Sequence, residues 1–340
     1  MSDDRNVWIF IEQDEHRIAE VSLELLAEGR VIASQLGSKV WAVLCGGEVE
    51  NLAGQAIQHG ADRVLLAEGP ELELYRTLPY CRAITQMARK WNPYIFLIGA
   101  TPVGRDLAPR IASVLKVGLT ADCTDLQIGD YTSKRENMVY KDLLYQVRPA
   151  FGGNIIATIV NPKTRPQMAT VREGVMRRGE PDPTRKGSIE KVSVTFEAGD
   201  FALEVLSREM RQPTVKLKDA PVIVAAGAGV DDREEFELVR ELANLLGGEV
   251  GASRAAVDAG FISREHQIGQ TGSTVRPRLY IAAGISGAIQ HRAGMDQSSK
   301  IIAINTDPNA PIFQIAHYKI VGDVAEVLPL LIKSLREKAK

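Results

Sequence analysis

"NVWIFIEQDEHRIAEVSLELLAEGRVIASQLGSKVWAVLCGG" (residues 6–47) decides the fold class of this 340-residue chain. Its first apolar run, "NVWIFIE", predicts a buried strand, and "VSLELLAEGRVIASQLG" predicts a helix that ends at Gly37. The run "KVWAVLCGG" predicts the next strand. Because a helix lies between two buried strands, we expect a right-handed crossover and a mainly parallel sheet.

The alternation continues along the first hundred residues and beyond. Two more strands are predicted at "ADRVLLAEG" and "YIFLIGA", and three more helices at "VENLAGQAIQHG", "LELYRTLPYCRAITQMARKW" and "VGRDLAPRIASVLK". Residues 118–200 then carry shorter alternating runs, which predict extra strands or an antiparallel excursion attached to the first sheet. We therefore expect an N-terminal, nucleotide-binding-like α/β domain at residues 1–211.

A second α/β unit begins after a charged segment that contains proline. The run "VIVAAGAG" predicts its first strand, so we place a hinge at residues 212–219 and a smaller, parallel-sheet domain at 220–340. Later strands are predicted at "EVGASRA", "RLYIAAGI", "KIIAINTD" and "YKIVGD", and helices at "DREEFELVRELANLLGG" and "VAEVLPLLIKSLREKAK". The fold class is thus α/β with two domains.

Composition excludes several function classes. The formal net charge is −2 and no basic run occurs, so nucleic acid is not an expected partner. No apolar run approaches the ~20 residues of a membrane-spanning helix, so no integral membrane segment is expected. The cysteines, Cys45, Cys81 and Cys123, are too far apart in sequence to suggest a zinc or iron–sulfur site. Isolated cysteines suit a reducing compartment, and we expect a cytoplasmic protein.

Polar residues follow the strands of the second domain. "VIVAAGAGVDD" is half of a dinucleotide-binding fingerprint, with Asp232 where the third glycine would stand. Arg254 lies among small residues, and "QIGQTGSTV" (267–275) supplies neutral hydrogen-bond donors on a glycine-containing loop. A tight turn, a solvated arginine and an ordinary polar loop would explain these three features equally well.

The segment "SGAIQHRAGM" is predicted to begin a helix directly after the strand "RLYIAAGI". The amides of Ser286, Gly287 and Ala288 would then be unpaired at a helix N-terminus, which suits an anion. Gln290 and His291 follow on the first turn, although a lone helical histidine is more often a capping or surface residue.

Four strand ends are expected to converge on one edge of the second sheet, because ligands of open parallel sheets bind at the carboxyl ends of strands. These ends carry Arg254, Ser286, Asn305 and Asp323. No nucleophile–base pair, Walker lysine or HExxH motif accompanies them. The layout therefore suits holding an extended nucleotide cofactor, and no catalytic residue is predicted.

Residues 251–323 closely resemble the FAD domain of the electron transfer flavoprotein α subunit. The likeness rests on "GASRAAVDAG", "GQTGSTVRPRLYIAAGISGAIQHRAGM", "IIAINTDPNAPIF" and "YKIVGD". The first domain is similar to the same family in "GATPVGRDLAPRIASVL" and "GLTADCTDL". The resemblance implies an FAD cofactor and a heterodimer with the electron transfer flavoprotein β subunit.

The resemblance also implies a role for each matching position. Arg254 would lie against the isoalloxazine, Thr271 with Gln270 near flavin N5, and His291 at the O2 and N1 edge. Residues 286–290 would hold the pyrophosphate, with Ser253 nearby, and the adenosine half would contact Asn305 and Asp323. The expected cofactor-binding set is Ser253, Arg254, Gln270, Thr271, Gly284, Ser286, Gly287, Ala288, Gln290, His291, Asn305 and Asp323, with no metal ligand.

One position departs from the family pattern. Many relatives carry Gly-Arg-Gly where this chain has Gly227-Ala228-Gly229, so a charge that would meet the FAD phosphates is absent. We expect FAD binding to survive but to be weaker. The segments "RPAFGGNIIATI" and "RPQMATVREGV" resemble anaerobic, often flavin-bifurcating members, in which a second flavin sits in the β subunit.

We therefore expect an electron-carrier subunit that shuttles electrons between a dehydrogenase, such as an acyl-CoA dehydrogenase, and a redox acceptor. It would be catalytic only within a complex, if that complex takes part in NADH-dependent electron bifurcation. Two alternatives stay open. One is a self-contained FAD- or NAD-dependent dehydrogenase. The other is a nucleotide-binding sensor, although "IEQDEHR" replaces the glycine-rich loop that a sensor would need after its first strand.

Overall fold

A seven-stranded parallel sheet forms the first of two units in the computed structural model, which describes residues 5–150, 155–209 and 215–338. The strands of this unit are, in chain order, β1 Val7–Ile11, β2 Gln13–Asp14, β3 Arg17–Ile18, β4 Val40–Gly46, β5 Arg63–Glu68, β6 Ile95–Gly99, β7 Leu119–Cys123, β8 Asp125–Ser133, β9 Met138–Ala150, β10 Ile155–Ile159, β11 Gln167–Val171 and β12 Ser188–Lys191. The parallel sheet has the order β12-β5-β4-β1-β6-β11-β7, which confirms the expected fold class.

Helices cover both faces of this sheet: α1 Glu20–Leu36, α2 Glu50–Gln58, α3 Thr77–Trp91 and α4 Pro102–Leu115. Along β1, Val7, Ile9 and Ile11 pack in the core that contains α1 and α2. Trp8 and Phe10 pack in the opposite core with α3 and α4. A strand buried on both faces is apolar throughout, which is why "NVWIFIE" does not alternate.

Two element boundaries differ from the sequence expectation. Helix α3 begins at Thr77 and not at Leu72, because Pro79 lacks an N–H and fits only the first helical turn. Strand β12 ends at Lys191, well before the end of "EKVSVTF" (190–196). Its pairing with β5 ends at Lys191 and Leu66, although β5 continues to Glu68, so β12 leaves the ladder before its neighbour ends.

The predicted antiparallel excursion is a three-stranded sheet in the order β10-β9-β8. Strands β7, β11 and β12 from the same stretch of sequence join the parallel sheet instead. A two-stranded hairpin, β2 and β3, follows β1 at the place where a nucleotide-binding fold would carry its phosphate loop. Among the described residues, no helix is both long and apolar enough to cross a membrane.

The second unit is built on a five-stranded parallel sheet in the order β14-β13-β15-β16-β17. Its strands are β13 Val222–Ala226, β14 Glu249–Ala252, β15 Leu279–Ala283, β16 Ile301–Asn305 and β17 Tyr318–Val321; its helices are α5 Arg233–Leu245, α6 Arg254–Asp258, α7 Ile289–Arg292 and α8 Val324–Lys338. Helices α5 and α8 contribute to the core on one face of the sheet. Since all five strands are parallel, their carboxyl ends lie along one edge.

The two units divide between Arg208 and Glu209. Part of the expected hinge, residues 212–214, lies outside the described residues. Leu217, also in that hinge, is buried in the core of the second unit. The hinge at residues 212–219 stays a prediction.

Glu12→Gln is expected to raise the melting temperature at pH 7. Burial raises the pKa of Glu12, and the negative charges of Glu173 and Asp14 raise it further. The Thr101 hydroxyl donates to Glu12 Oε2 at 2.5 Å and opposes this shift. A carboxyl whose pKa is raised by folding destabilises the fold once it ionises, so the benefit of glutamine should vanish as the pH falls below the unfolded pKa of about 4.3. Thermal unfolding between pH 4 and 8, with exposed Glu48→Gln as control, tests this; destabilisation by Glu12→Gln at pH 7 would contradict it.

Candidate functional site

A cavity of about 360 Å³ lies at the carboxyl edge of the second unit's sheet. Eight of the expected cofactor-binding residues line it: Ser253, Arg254, Gln270, Thr271, Ser286, Ala288, Gln290 and His291. The remaining lining residues are Ala228, Ala255, Gln267, Ile268, Gly269 and Ile285. The volume falls in the range of small-molecule and cofactor sites, about 300–1,000 Å³.

Arg254 supplies the cavity's permanent charge. Strand β14 ends at Ala252, and the Ser253 hydroxyl caps α6 by accepting from the Ala256 N–H at 3.4 Å. This cap sets Arg254 as the first helical residue, with its side chain 71% exposed. Its Nε lies 3.3 Å from Asp258, an exposed ion pair of the kind that contributes at most about 1 kcal/mol. The guanidinium can therefore exchange Asp258 for a ligand at little cost.

The loop after α6 holds Thr271 in place through a buried glutamine. Gln267 donates from Nε2 to the Thr271 hydroxyl oxygen at 2.8 Å. That leaves the hydroxyl proton of Thr271 for another acceptor. The Gln270 N–H donates to the Gln290 carbonyl at 2.7 Å, so the loop is fixed against α7.

Sequence reasoning expected a helix from Ser286, but α7 begins at Ile289 and has four residues. A single turn carries little macrodipole, since the dipole is a sum over aligned peptide units. The amides themselves are the useful feature. Among the described residues, the N–H groups of Ser286, Gly287 and Ala288 have no hydrogen-bond acceptor. Three adjacent free donors suit a phosphate or another polar anion.

Gly284 and Gly287 shape this segment without lining the cavity. Gly284 has φ +65°, and a Cβ there would lie 2.6 Å from the Gly229 carbonyl carbon. Gly287 has φ +86°, and a Cβ there would lie 2.2 Å from the Ile312 nitrogen. Both positions need a left-handed backbone and close backbone contact, which glycine alone supplies without strain. Both glycines therefore shape the turn, and their expected contact with the cofactor stays a prediction.

Both glycine amides of the Gly227–Gly229 turn are already hydrogen-bonded within the protein. The Gly227 N–H donates to the Ala283 carbonyl at 2.8 Å, and the Gly229 N–H to the Gly284 carbonyl at 2.9 Å. Asp232, in the place of the third glycine, caps α5 by accepting from the Glu235 N–H. A carboxylate thus occupies the helix terminus where a dinucleotide fold would bind phosphate.

His291 is buried, and its two ring nitrogens differ. Nε2 lies 2.9 Å from the Tyr280 hydroxyl, whereas Nδ1 is buried with no hydrogen-bond partner among the described residues. Burial lowers the pKa of His291 to about 4; the Ile268 carbonyl opposes that shift without making a hydrogen bond to Nδ1. The imidazole is therefore neutral at pH 7 and contributes a hydrogen bond and not a positive charge.

Asn305 and Asp323 lie at the same sheet edge but outside the cavity lining. Asn305 donates to the Ile285 carbonyl at 3.0 Å and accepts from the Asp307 N–H at 2.9 Å. Asp323 accepts from the Ala325 N–H at 2.9 Å, in the first turn of α8. Both side chains stabilise turns here, and their expected contact with an adenosine group stays a prediction.

Sequence reasoning missed two residues that support the site, Gln267 and Tyr280. Gln267 stands inside the quoted loop "QIGQTGSTV", where its burial could not be foreseen. Tyr280 was taken as part of an apolar strand, and its hydroxyl in that otherwise apolar run was the available signal. Together they hold Thr271 and His291, two of the neutral hydrogen-bonding side chains that line the cavity.

Comparisons with known proteins place the chain among flavoproteins. The family model described as "Electron transfer flavoprotein domain" matches residues 7–197, and "Electron transfer flavoprotein FAD-binding domain" matches residues 216–296. The chain is 48% identical to an electron transfer flavoprotein subunit alpha of Thermoanaerobacterium thermosaccharolyticum over 99% of both chains. It is 45% identical to the Megasphaera elsdenii subunit alpha, over 98% of this chain and 97% of that one. An acryloyl-CoA reductase electron transfer subunit beta of Anaerotignum propionicum is 40% identical, over 98% and 96%.

Proposed function

Because the chain belongs to the electron transfer flavoprotein family as an α subunit that binds FAD, we propose that its FAD sits in the cavity of the second unit. One observation carries this proposal. A permanent cation, Arg254, a free hydroxyl proton on Thr271 and an unpartnered Nδ1 on His291 surround one cavity. These groups fit the polar ring of a flavin, and the free amides of residues 286–288 fit its pyrophosphate.

Bound FAD supplies the ability to accept and return electrons one or two at a time. The residues of this chain bind it and adjust its electrostatics. Arg254 places a positive charge against the ring and favours the reduced, negatively charged state. Thr271 and His291 donate hydrogen bonds to ring acceptors, and the amides of residues 286–288 hold the phosphates. The site thus holds a redox group.

As an electron transfer subunit, the chain implies a β-subunit partner. We propose that this heterodimer exchanges electrons with an acyl-CoA dehydrogenase or reductase. The Anaerotignum relative, whose name is that of an acryloyl-CoA reductase electron transfer subunit, supports this choice. We also propose a cytoplasmic location, because Cys45, Cys81 and Cys123 are buried free thiols whose pKa burial raises.

A second candidate role is NADH-dependent electron bifurcation within that heterodimer. The segments "RPAFGGNIIATI" and "RPQMATVREGV", which resemble flavin-bifurcating members of the family, favour it, although residues 151–154 of the first segment lie outside the described residues. The alternative of a self-contained dehydrogenase is not favoured, because the relatives over the full chain are electron transfer subunits.

Purification of this chain with a candidate β subunit, followed by flavin counting and NADH titration, tests these proposals. Two FAD per heterodimer, reduced by NADH, would support bifurcation. One FAD that is not reduced by NADH would support a simple carrier. A heterodimer that purifies without FAD and does not bind added FAD would contradict the proposed site. Turnover of a small substrate by the isolated chain would favour the dehydrogenase alternative.

Ala228→Arg is expected to tighten FAD binding about tenfold or more, because a charge-assisted hydrogen bond to phosphate contributes about 1.5–3 kcal/mol. Ala228 is exposed, lines the cavity and is not among the residues with positive φ, so its backbone accepts an arginine. Titration of FAD into the flavin-free heterodimer measures the change. Ala228→Gln has similar length without charge and serves as control; equal affinities of the two variants would contradict the expectation.

A further inference from the structure

Tyr280 and His291 form a buried pair beneath the cavity. Tyr280 lies in β15 and is fully buried, and its hydroxyl oxygen is 2.9 Å from His291 Nε2. Among the described residues, this is the hydroxyl's one hydrogen bond, and Nδ1 of His291 has none. The pair therefore has one contact inside the protein and one ring nitrogen left for a ligand.

The position of two protons distinguishes the possible arrangements of this pair. If Nε2 carries the imidazole proton, it donates to the tyrosine oxygen; the tyrosine proton then has no acceptor and Nδ1 has no donor. If Nδ1 carries the proton, the tyrosine hydroxyl donates to Nε2 and only the Nδ1–H lacks a partner. Buried polar groups without partners are costly, so the second arrangement is favoured.

Burial keeps both members uncharged. It raises the pKa of the Tyr280 hydroxyl, which stays protonated, and lowers the pKa of His291 to about 4. A neutral imidazole has one donor and one acceptor, and the identity of the donor depends on what the other nitrogen contacts. Here that contact is a hydroxyl on a strand paired with a neighbour on each side, β13 and β16.

We propose that Tyr280 is a positioning residue that holds His291 in the tautomer protonated at Nδ1, so that His291 presents an N–H donor to the bound cofactor. The contact between His291 and FAD rests on the proposed function. The tautomer itself follows from the surroundings of His291 within this chain and does not require the cofactor. It explains how a neutral histidine can favour electron density on a carbonyl edge of the flavin ring.

Nitrogen-15 NMR of the heterodimer, labelled at histidine in this chain alone, reads the tautomer directly. The chain has five histidines, and loss of one signal in a His291→Asn variant assigns the residue. At pH 7, with and without FAD, we expect a protonated Nδ1 and an unprotonated Nε2. A protonated Nε2 in the unaltered protein would overturn the proposal without any variant.

Tyr280→Phe removes the hydroxyl and keeps the ring. We expect protonated Nε2 to appear at His291 and FAD affinity to fall about three- to tenfold, the loss of one positioned hydrogen bond. Tyr80→Phe is the matched control, because Tyr80 is also buried and donates to the Leu72 carbonyl at 2.9 Å in the first unit. An unchanged tautomer in Tyr280→Phe would overturn the proposal. Absence of FAD binding in the unaltered heterodimer would instead reject the proposed function and leave the tautomer result standing.

Discussion

Arg254→Ala is expected to lower the midpoint potential of the bound FAD by roughly 60–130 mV for a one-electron step. The estimate takes about 1.5–3 kcal/mol for a charge-assisted interaction with the reduced ring and 59 mV per tenfold change. Arg254 is the one permanently charged side chain among the described residues that line the cavity. Because His291 is neutral at pH 7, no second cation compensates for the loss.

Two companion variants separate charge from geometry. Arg254→Lys keeps a charge but loses the planar fork, so its potential should lie between those of the unaltered protein and Arg254→Ala. Asp258→Asn removes the carboxylate 3.3 Å from Arg254 Nε and should not lower the potential. Redox titration of the FAD-loaded heterodimers measures all four proteins. A potential of Arg254→Ala equal to that of the unaltered protein would contradict the role assigned to this residue.

Gly284→Ala is expected to lower the free energy of unfolding by roughly 2–5 kcal/mol and to abolish high-affinity FAD binding. Its left-handed φ costs an alanine about 1–2 kcal/mol, and overpacking adds about 1–3 kcal/mol. The added Cβ would lie 2.6–2.8 Å from three backbone atoms of Gly229. The turn at Gly229 and the turn at Gly284 cannot move apart without displacing residues that line the cavity.

Gly247→Ala is a matched control for this variant. Gly247 has φ +63°, nearly that of Gly284, and nothing lies within 4 Å of its missing Cβ. Gly247→Ala should lower the free energy of unfolding only by the cost of a left-handed backbone, about 1–2 kcal/mol, and leave FAD binding intact. Urea unfolding and FAD titration of both variants test the comparison. Equal losses of stability would show that the contact between the two turns is not tight.

Much of the fold follows from local patterns. Strand β1 is apolar at every position because helices cover both sheet faces, and Gly37 ends α1 in the left-handed conformation that a helix C-terminus favours. The start of α3 was placed too early, at Leu72, because the residues before Thr77 also favour a helix. Pro79 can lie only in the first turn of a helix, so α3 begins at Thr77. Local patterns thus predict the elements better than their ends.

Site residues could be predicted where polar side chains lie near the end of a strand in the sequence. Residues whose role depends on packing could not be predicted as well. Arg254, Thr271 and His291 were found by position, and the structure brings them to one cavity. Sequence cannot show that the Gly227 and Gly229 amides are already hydrogen-bonded, because their acceptors are carbonyls about 55 residues later. Tyr280 was hidden for a different reason: its partner is only 11 residues away, but the turn between β15 and α7 decides whether the two side chains meet.

A crystal structure of the heterodimer with FAD bound tests the central claim most directly. We predict that the isoalloxazine occupies the cavity of the second unit, with its ring in contact with Arg254, Thr271 and His291. The pyrophosphate should receive hydrogen bonds from the amides of residues 286–288. FAD bound to this chain away from that cavity, or a ring that contacts none of the three side chains, would contradict the account.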